Sequence, residues 1–350
     1  MNKKREKLYA LDILRFVAAF GVVLYHLRIH LKCNFGILNT FLSQGSLFMV
    51  LFFVLSGFSL YYNYYEKDLF KLEELKKFYI KRCISIYPCY LLITLIYLVL
   101  HTNDIKEAVI MFPVEILLLQ QFIPGARNYG CNSLTWFLSC LLLCYLLFPF
   151  IKSILEQIDS HKTKRKIGAA LYIIAAVMPF IVHFMEYEWV YNNPYFKLLE
   201  FVLGMMTADY YFTGKKKEKA GSPFIGGGAA VLLVVAVTLL NKRGIGTYAS
   251  YIFFTLPLFI ILIYEMALAK PDGLLVRVSK SKVIGYLSSI SYALYLAQAF
   301  LIDIGEKAAK FNSLVNIIIM SLMMLVIAVI LYEAVQKPCK KLLGRRLLDQ

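Results

Sequence analysis

Apolar residues in this chain gather into ten long runs, near 10–29, 46–65, 84–101, 134–152, 167–185, 194–212, 224–240, 248–268, 285–303 and 314–335. Each approaches the length of about 20 residues that a helix needs to cross a hydrocarbon core of about 30 Å. An eleventh run, Ala108 to Ile123, is shorter and broken by Pro113 and Glu115. It reads as an interfacial or re-entrant helix on the outer side. Between the second and third runs, Leu69, Leu72, Leu75, Phe78 and Tyr79 recur at helical spacing among charges. That pattern predicts an amphipathic helix over 66–83 lying along the inner interface. No repeat of fixed period is visible. The expected fold is all-α: a polytopic membrane protein of about ten transmembrane helices, forming one domain over 1–350.

Composition supports the pattern. The 350 residues are 60% hydrophobic and 17% charged, against about 45–50% apolar in soluble domains. The net charge of +16 does not point to nucleic acid, because a basic excess in a membrane protein marks loops beside anionic lipid. No small-residue cleavage site follows the first run, so it is expected to remain as the first span. The seven cysteines show no CxxC or Cys/His metal spacing, and no metal is expected. A disulfide between Cys33 and Cys131 is the one pairing that a shared outer side allows.

The basic residues also orient the bundle. With the N-terminus inside, the inner segments carry 28 Lys and Arg and the outer segments 8, with Arg15 and Lys197 inside spans. Every inner loop is richer than every outer one, which predicts both termini in the cytoplasm. The longest outer loop, Thr102 to Ser133, reads as a connection that caps an outward cavity, and 213–223 as a flexible inner linker.

Ionisable groups at membrane depth cost several kcal/mol each unless paired or wetted, so they are functional candidates. The first run, LDILRFVAAFGVVLYHLRIH, holds Asp12, Arg15 and His26. Arg15 and His26 are eleven residues, about three turns, apart, so they share a helix face about 16 Å apart along the axis. Taken alone, His26 can be a satisfied core histidine and Arg15 a snorkelling side chain. Asp12, three residues before Arg15, is placed to hold its guanidinium. Glu200 pairs with Lys197 in the same i, i+3 relation. Asp209, Glu265, Asp303 and Glu333 lie close to span ends. Lys81 and Arg82, beside the membrane, suit an anionic ligand arriving from the cytoplasm.

Seven stretches together resemble the bacterial integral membrane acyltransferases of acyltransferase family 3. LDILRFVAAFGVVLYH has that family's Asp-x-x-Arg followed by ten residues and a histidine. LFFVLSGFSL, FYIKRCISIYPCY, LTWFLSCLLLCYLLFP, YFKLLEFVLGMM, ISYALYL and YEAVQKP are similar to its later elements, in order, from about Tyr9 to Leu343. Three positions depart from the pattern. Ser85 stands where a second arginine of Arg-x-x-Arg is expected, Gln298 where many members carry histidine, and Gln336 where the last span ends in glutamate.

The resemblance implies an enzyme of the bacterial cytoplasmic membrane. It would move an acyl group, most commonly acetyl, from cytoplasmic acetyl-CoA or another acyl-CoA to a hydroxyl of a cell-surface glycan or lipid-linked sugar. Cations near the inner face suit a phosphate-bearing donor, and a neutral imidazole can take a hydroxyl proton. His26, Arg15 and Asp12 are then the catalytic set, and Arg82, Lys81 and Tyr87 the donor-binding set. Ser56, Trp136, Glu200, Ser291, Tyr292 and Tyr295 are expected to line the cavity, although aromatics at such spacings also serve as packing or interface anchors. The expected partners are the bilayer and a glycan acceptor; oligomeric state is not legible. The rival reading is a transporter exporting a glycan or acylated product, with Arg15 and His26 on its path.

Overall fold

The computed structural model describes residues 5–101, 105–123, 126, 135–184, 190–214, 221–242, 248–301 and 312–348. The described residues are overwhelmingly helical, with no strand among them. In chain order the main helices are α1 (Ala10–Ile29), α2 (Phe48–Tyr64), α3 (Leu72–His101), α4 (Ile105–Ile116), α5 (Trp136–Gln157) and α6 (His161–Phe184). They continue with α7 (Pro194–Thr213), α8 (Pro223–Lys242), α9 (Tyr248–Ala267), α10 (Lys282–Ala297), α11 (Ser313–Ile330) and α12 (Lys337–Leu348). Eight helical stretches are long and apolar enough to cross a membrane among the described residues. The protein is thus an all-α, multi-pass membrane protein.

Local sequence explains several helix starts. Asn193 caps α7 by accepting from the Tyr195 N–H, with Pro194 in the first turn. Ser281 caps α10 through the Ile284 N–H, and Asn312 caps α11 through the Val315 N–H. Each cap satisfies a donor that the helix itself cannot. α7 lies outside the eight because it carries Lys197, Glu200 and Asp209, yet its charges are answered internally. Lys197 Nζ lies 2.8 Å from Glu200, while Asp209 takes Lys164 Nζ at 2.9 Å and the Tyr61 hydroxyl at 2.9 Å.

The most extensive helix contact in the molecule is α2 against α7. It depends on two glycines. A Cβ on Gly57 would run into the Phe201 carbonyl, and one on Gly204 into the Val54 carbonyl. Small residues let helix backbones approach where lipid offers no hydrophobic drive for association. α1 packs mainly on α10, and α12 lies against α3.

One expectation is corrected. The amphipathic stretch within 66–83 is not a separate interfacial helix: from Leu72 onward it forms the first turns of a single 30-residue α3. No glycine or proline interrupts 72–87, and Phe78 is buried between Tyr64 and Phe148, at 5.2 and 5.3 Å between ring centroids. The eleventh apolar run yields only the 12-residue α4, which ends before Leu118 takes a positive φ of 56°. That is too short to span. Asp303, Cys131, most of the 102–133 loop's polar stretch and most of the 213–223 linker lie outside the described residues. At its end the chain runs from α11 through a π-helical turn, Leu331–Gln336, directly into α12.

Candidate functional site

The site is built outward from Asp12. It sits in the first turn of α1, where a carboxylate complements the helix dipole, and is only 2% exposed. Its Oδ1 accepts from Arg15 Nη1 at 2.8 Å and from the Ser288 hydroxyl of α10 at 2.9 Å. Lys7 Nζ lies 2.6 Å from Oδ2. Arg15 in turn donates from Nη2 to the Ser59 hydroxyl of α2 at 2.8 Å. Three helices are thereby joined at one buried carboxylate, whose desolvation is offset by two cations and a hydroxyl.

This network forms one wall of a cavity of about 700 Å³, within the range of small-molecule sites. Lys7, Arg15, Lys67, Lys81, Arg82 and Lys340 line it, and Asp12 is the one carboxylate among its described lining residues. Lys67 is paired with Glu74 at 2.8 Å. Lys81, Arg82 and Lys340 have no ion-pair partner among the described residues. The Arg82 guanidinium lies over the rings of Phe78 and Tyr145, at 5.9 and 5.7 Å, which fixes its position without neutralising it. The rest of the wall includes aromatic and apolar groups: Phe52, Phe137, Leu141, Tyr292 and Tyr295. The Tyr292 hydroxyl donates to the Ile86 carbonyl at 2.9 Å, tying α10 to α3.

Of the residues expected to line a cavity, Ser56, Ser291, Tyr292 and Tyr295 do so, together with Arg15, Asp12, Lys81 and Arg82. Trp136, Glu200 and Tyr87 do not. Trp136 stacks edge-on against Tyr191 at 4.9 Å, and the Lys197 ammonium lies 5.0 Å from the same Tyr191 ring and 5.8 Å from the Phe53 ring. Phe53 meets Phe137 at 4.8 Å, so the Lys197–Glu200 pair stands behind the cavity's aromatic wall. Burial pushes the Tyr191 phenol well above its ordinary pKa, and its hydroxyl donates to the Ser46 carbonyl at 3.0 Å. Tyr87 packs on Tyr90 at 6.2 Å.

His26 lies outside the cavity lining, farther along α1. It is 9% exposed, and its Nδ1 is buried without a hydrogen-bond partner among the described residues. Its ring stacks on His30 at 5.3 Å and meets Tyr25 edge-on at 5.1 Å. An unanswered imidazole nitrogen in a buried position is free to accept a proton or a hydrogen bond from a ligand. Gln298, at the end of α10, is 1% exposed with both amide atoms unpartnered among the described residues.

Sequence reasoning missed Ser59, Ser288, Lys7 and Lys340. Ser288 stands three residues before Ser291 and Lys340 four after Gln336. Helical spacing from the residues already singled out is the one signal that could have found these two.

Compared with known proteins, residues 8–333 match the family model described as an acyltransferase domain. That span covers nearly the whole chain. The chain belongs to this acyltransferase family. It is also similar to the acyltransferase MdmB of Streptomyces mycarofaciens, 28% identical over 341 residues covering 86% of this chain and 82% of that protein. No solved structure matches the chain. Membership makes the protein an O-acyltransferase enzyme. The family match contains the whole Asp12–Arg15–His26 helix, whereas Gln336 and Lys340 on the cavity wall lie just beyond it.

Proposed function

We propose that this acyltransferase takes an acyl group, most simply acetyl, from acyl-CoA on the cytoplasmic side and passes it to a hydroxyl of a cell-surface glycan or lipid-linked sugar. In this reading it resides in the cytoplasmic membrane of a bacterium, and the cation-lined pole of the bundle faces the cytoplasm. The observation that carries the donor assignment is the cavity itself: six cationic side chains against one carboxylate among its described lining residues, together with an aromatic wall. Such a cavity suits a polyanion joined to a slender uncharged arm. Phosphates would meet Lys81, Arg82 and Lys340, which form no ion pair among the described residues. Arg15, held by Asp12 and Ser59, would mark where the arm passes along α1.

His26 lies about 16 Å farther along the α1 axis than Arg15, a distance for the arm to bridge. There its imidazole would remove the proton from the acceptor hydroxyl as the oxygen attacks the thioester carbonyl. The C–O bond forms, the C–S bond breaks, and the proton passes to the departing thiolate, giving an ester and the free thiol. No metal enters this scheme.

The test is transfer of labelled acetyl from acetyl-CoA to glycan acceptors in a cell-envelope extract by the purified, membrane-reconstituted protein. Transfer is expected for the wild type and lost in His26→Ala, with CoA binding retained. Undiminished transfer in that variant would remove His26 from the chemistry. Absence of both transfer and CoA binding in the wild type would overturn the donor assignment.

A further inference from the structure

Two of the three departures from the family pattern meet in space. Gln336 Nε2 donates to the Ser85 carbonyl at 3.4 Å, although the residues are 251 positions apart, and both line the large cavity. Gln336 is 2% exposed, and its Oε1 is buried with no partner among the described residues. It closes the π-helical turn Leu331–Gln336, a type of irregularity found frequently at functional sites. Gln336 lines the cavity, and a buried carboxamide oxygen left without a donor there can turn to a ligand that supplies one.

Depth says which part of a ligand this is. Ser85 follows Lys81 by four residues on α3, and Gln336 precedes Lys340 by four on the continuous helix that becomes α12. Both steps lead inward, so the neutral pair lies about one turn, roughly 6 Å, below Lys81 and Lys340, which form no ion pair among the described residues. Ser85 brings a hydroxyl that can donate, and Gln336 an oxygen that can accept. That is the complement of a secondary amide, whose C=O accepts and whose N–H donates. In coenzyme A a short branched spacer separates the pyrophosphate from the first amide of the pantetheine arm. Where the resemblance expects an arginine and a glutamate, this chain presents an uncharged donor–acceptor pair.

We infer that Ser85 and Gln336 form an amide-reading subsite that grips the pantetheine arm of the donor directly below its phosphates. This rests on the donor reading proposed above. The subsite sets the depth of the arm, and with it the reach of the thioester along α1.

The experiment measures calorimetric binding of three probes to the full-length protein in nanodiscs: coenzyme A, 4′-phosphopantetheine and adenosine 3′,5′-bisphosphate. Gln336→Leu is expected to weaken the first two about tenfold, the worth of one hydrogen bond to a buried group, and to leave the bisphosphate unchanged. Ser85→Ala, a small change at a half-buried position, is expected to weaken the same two probes by a smaller factor, which keeps the test sound if Gln336→Leu folds poorly. Unchanged affinity for coenzyme A in both variants would overturn the subsite while leaving the donor reading intact. Equal loss for all three probes would also overturn it, since no arm-specific contact would then exist. A wild type that binds none of the three would overturn the donor reading, and the subsite with it.

Discussion

Asp12 is the residue on which the cavity wall turns. Its carboxylate is 2% exposed and answers Lys7, Arg15 and Ser288 together. Asp12→Asn keeps the shape but removes the charge that holds the Arg15 fork against Ser59. Acyl transfer is expected to fall about tenfold or more, the scale of one lost charge-assisted hydrogen bond, with insertion and purification unaltered. Transfer at wild-type rate would show that the fork needs no anion to hold it. The Asp12–Arg15 contact was legible in the sequence because residues three apart on a helix are neighbours. Ser288, 276 positions away, was not, because no local spacing encodes a contact between α1 and α10. The same limit applies to Trp136 and Glu200. Their residue types fit a cavity wall, but packing sets them behind Phe53 and Phe137.

Among the elements, α2 and α7 carry the most demanding fit. Their glycines are not interchangeable with alanine, since each Cβ would enter the facing backbone. Gly57→Ala and Gly204→Ala are each expected to destabilise the protein by about 1–3 kcal/mol through overpacking, read as a lower midpoint in thermal aggregation. Gly227, inside α8, has open space around its Cβ position, so Gly227→Ala should be neutral or stabilising by up to about 1 kcal/mol through helix propensity. Equal effects at all three positions would mean that the close crossing is not limiting. The apolar runs gave these helices with ends close to those observed, as for α1, where 10–29 was expected and Ala10–Ile29 is found. The fusion of the amphipathic stretch into α3 was hidden. Periodicity reports that a segment is helical, but not whether the next segment continues the same axis.

For the molecule as a whole, the asymmetric spread of basic residues predicts which pole faces the cytoplasm. The cavity's cations Lys7, Lys81 and Lys340 all belong to segments that this spread places on the inner side. A fluorescent-protein fusion at the C-terminus is therefore expected to fluoresce, and an alkaline-phosphatase fusion at the same place to remain inactive. The reverse pattern would invert the bundle and separate the cavity from a cytoplasmic donor.

By itself the sequence determined that the chain is a helical membrane protein, where most of its helices run, and which three groups on α1 are costly enough to matter. These follow from local quantities: apolar length, helical spacing, and the price of charge in hydrocarbon. Only the tertiary structure decided that Asp12 meets Ser288 of α10, that Lys340 joins Lys81 and Arg82 around one cavity, and that Ser85 and Gln336 meet. Those contacts join residues hundreds of positions apart. They are set by how helix surfaces fit, glycine against backbone and ring against ring, which no single stretch of sequence specifies.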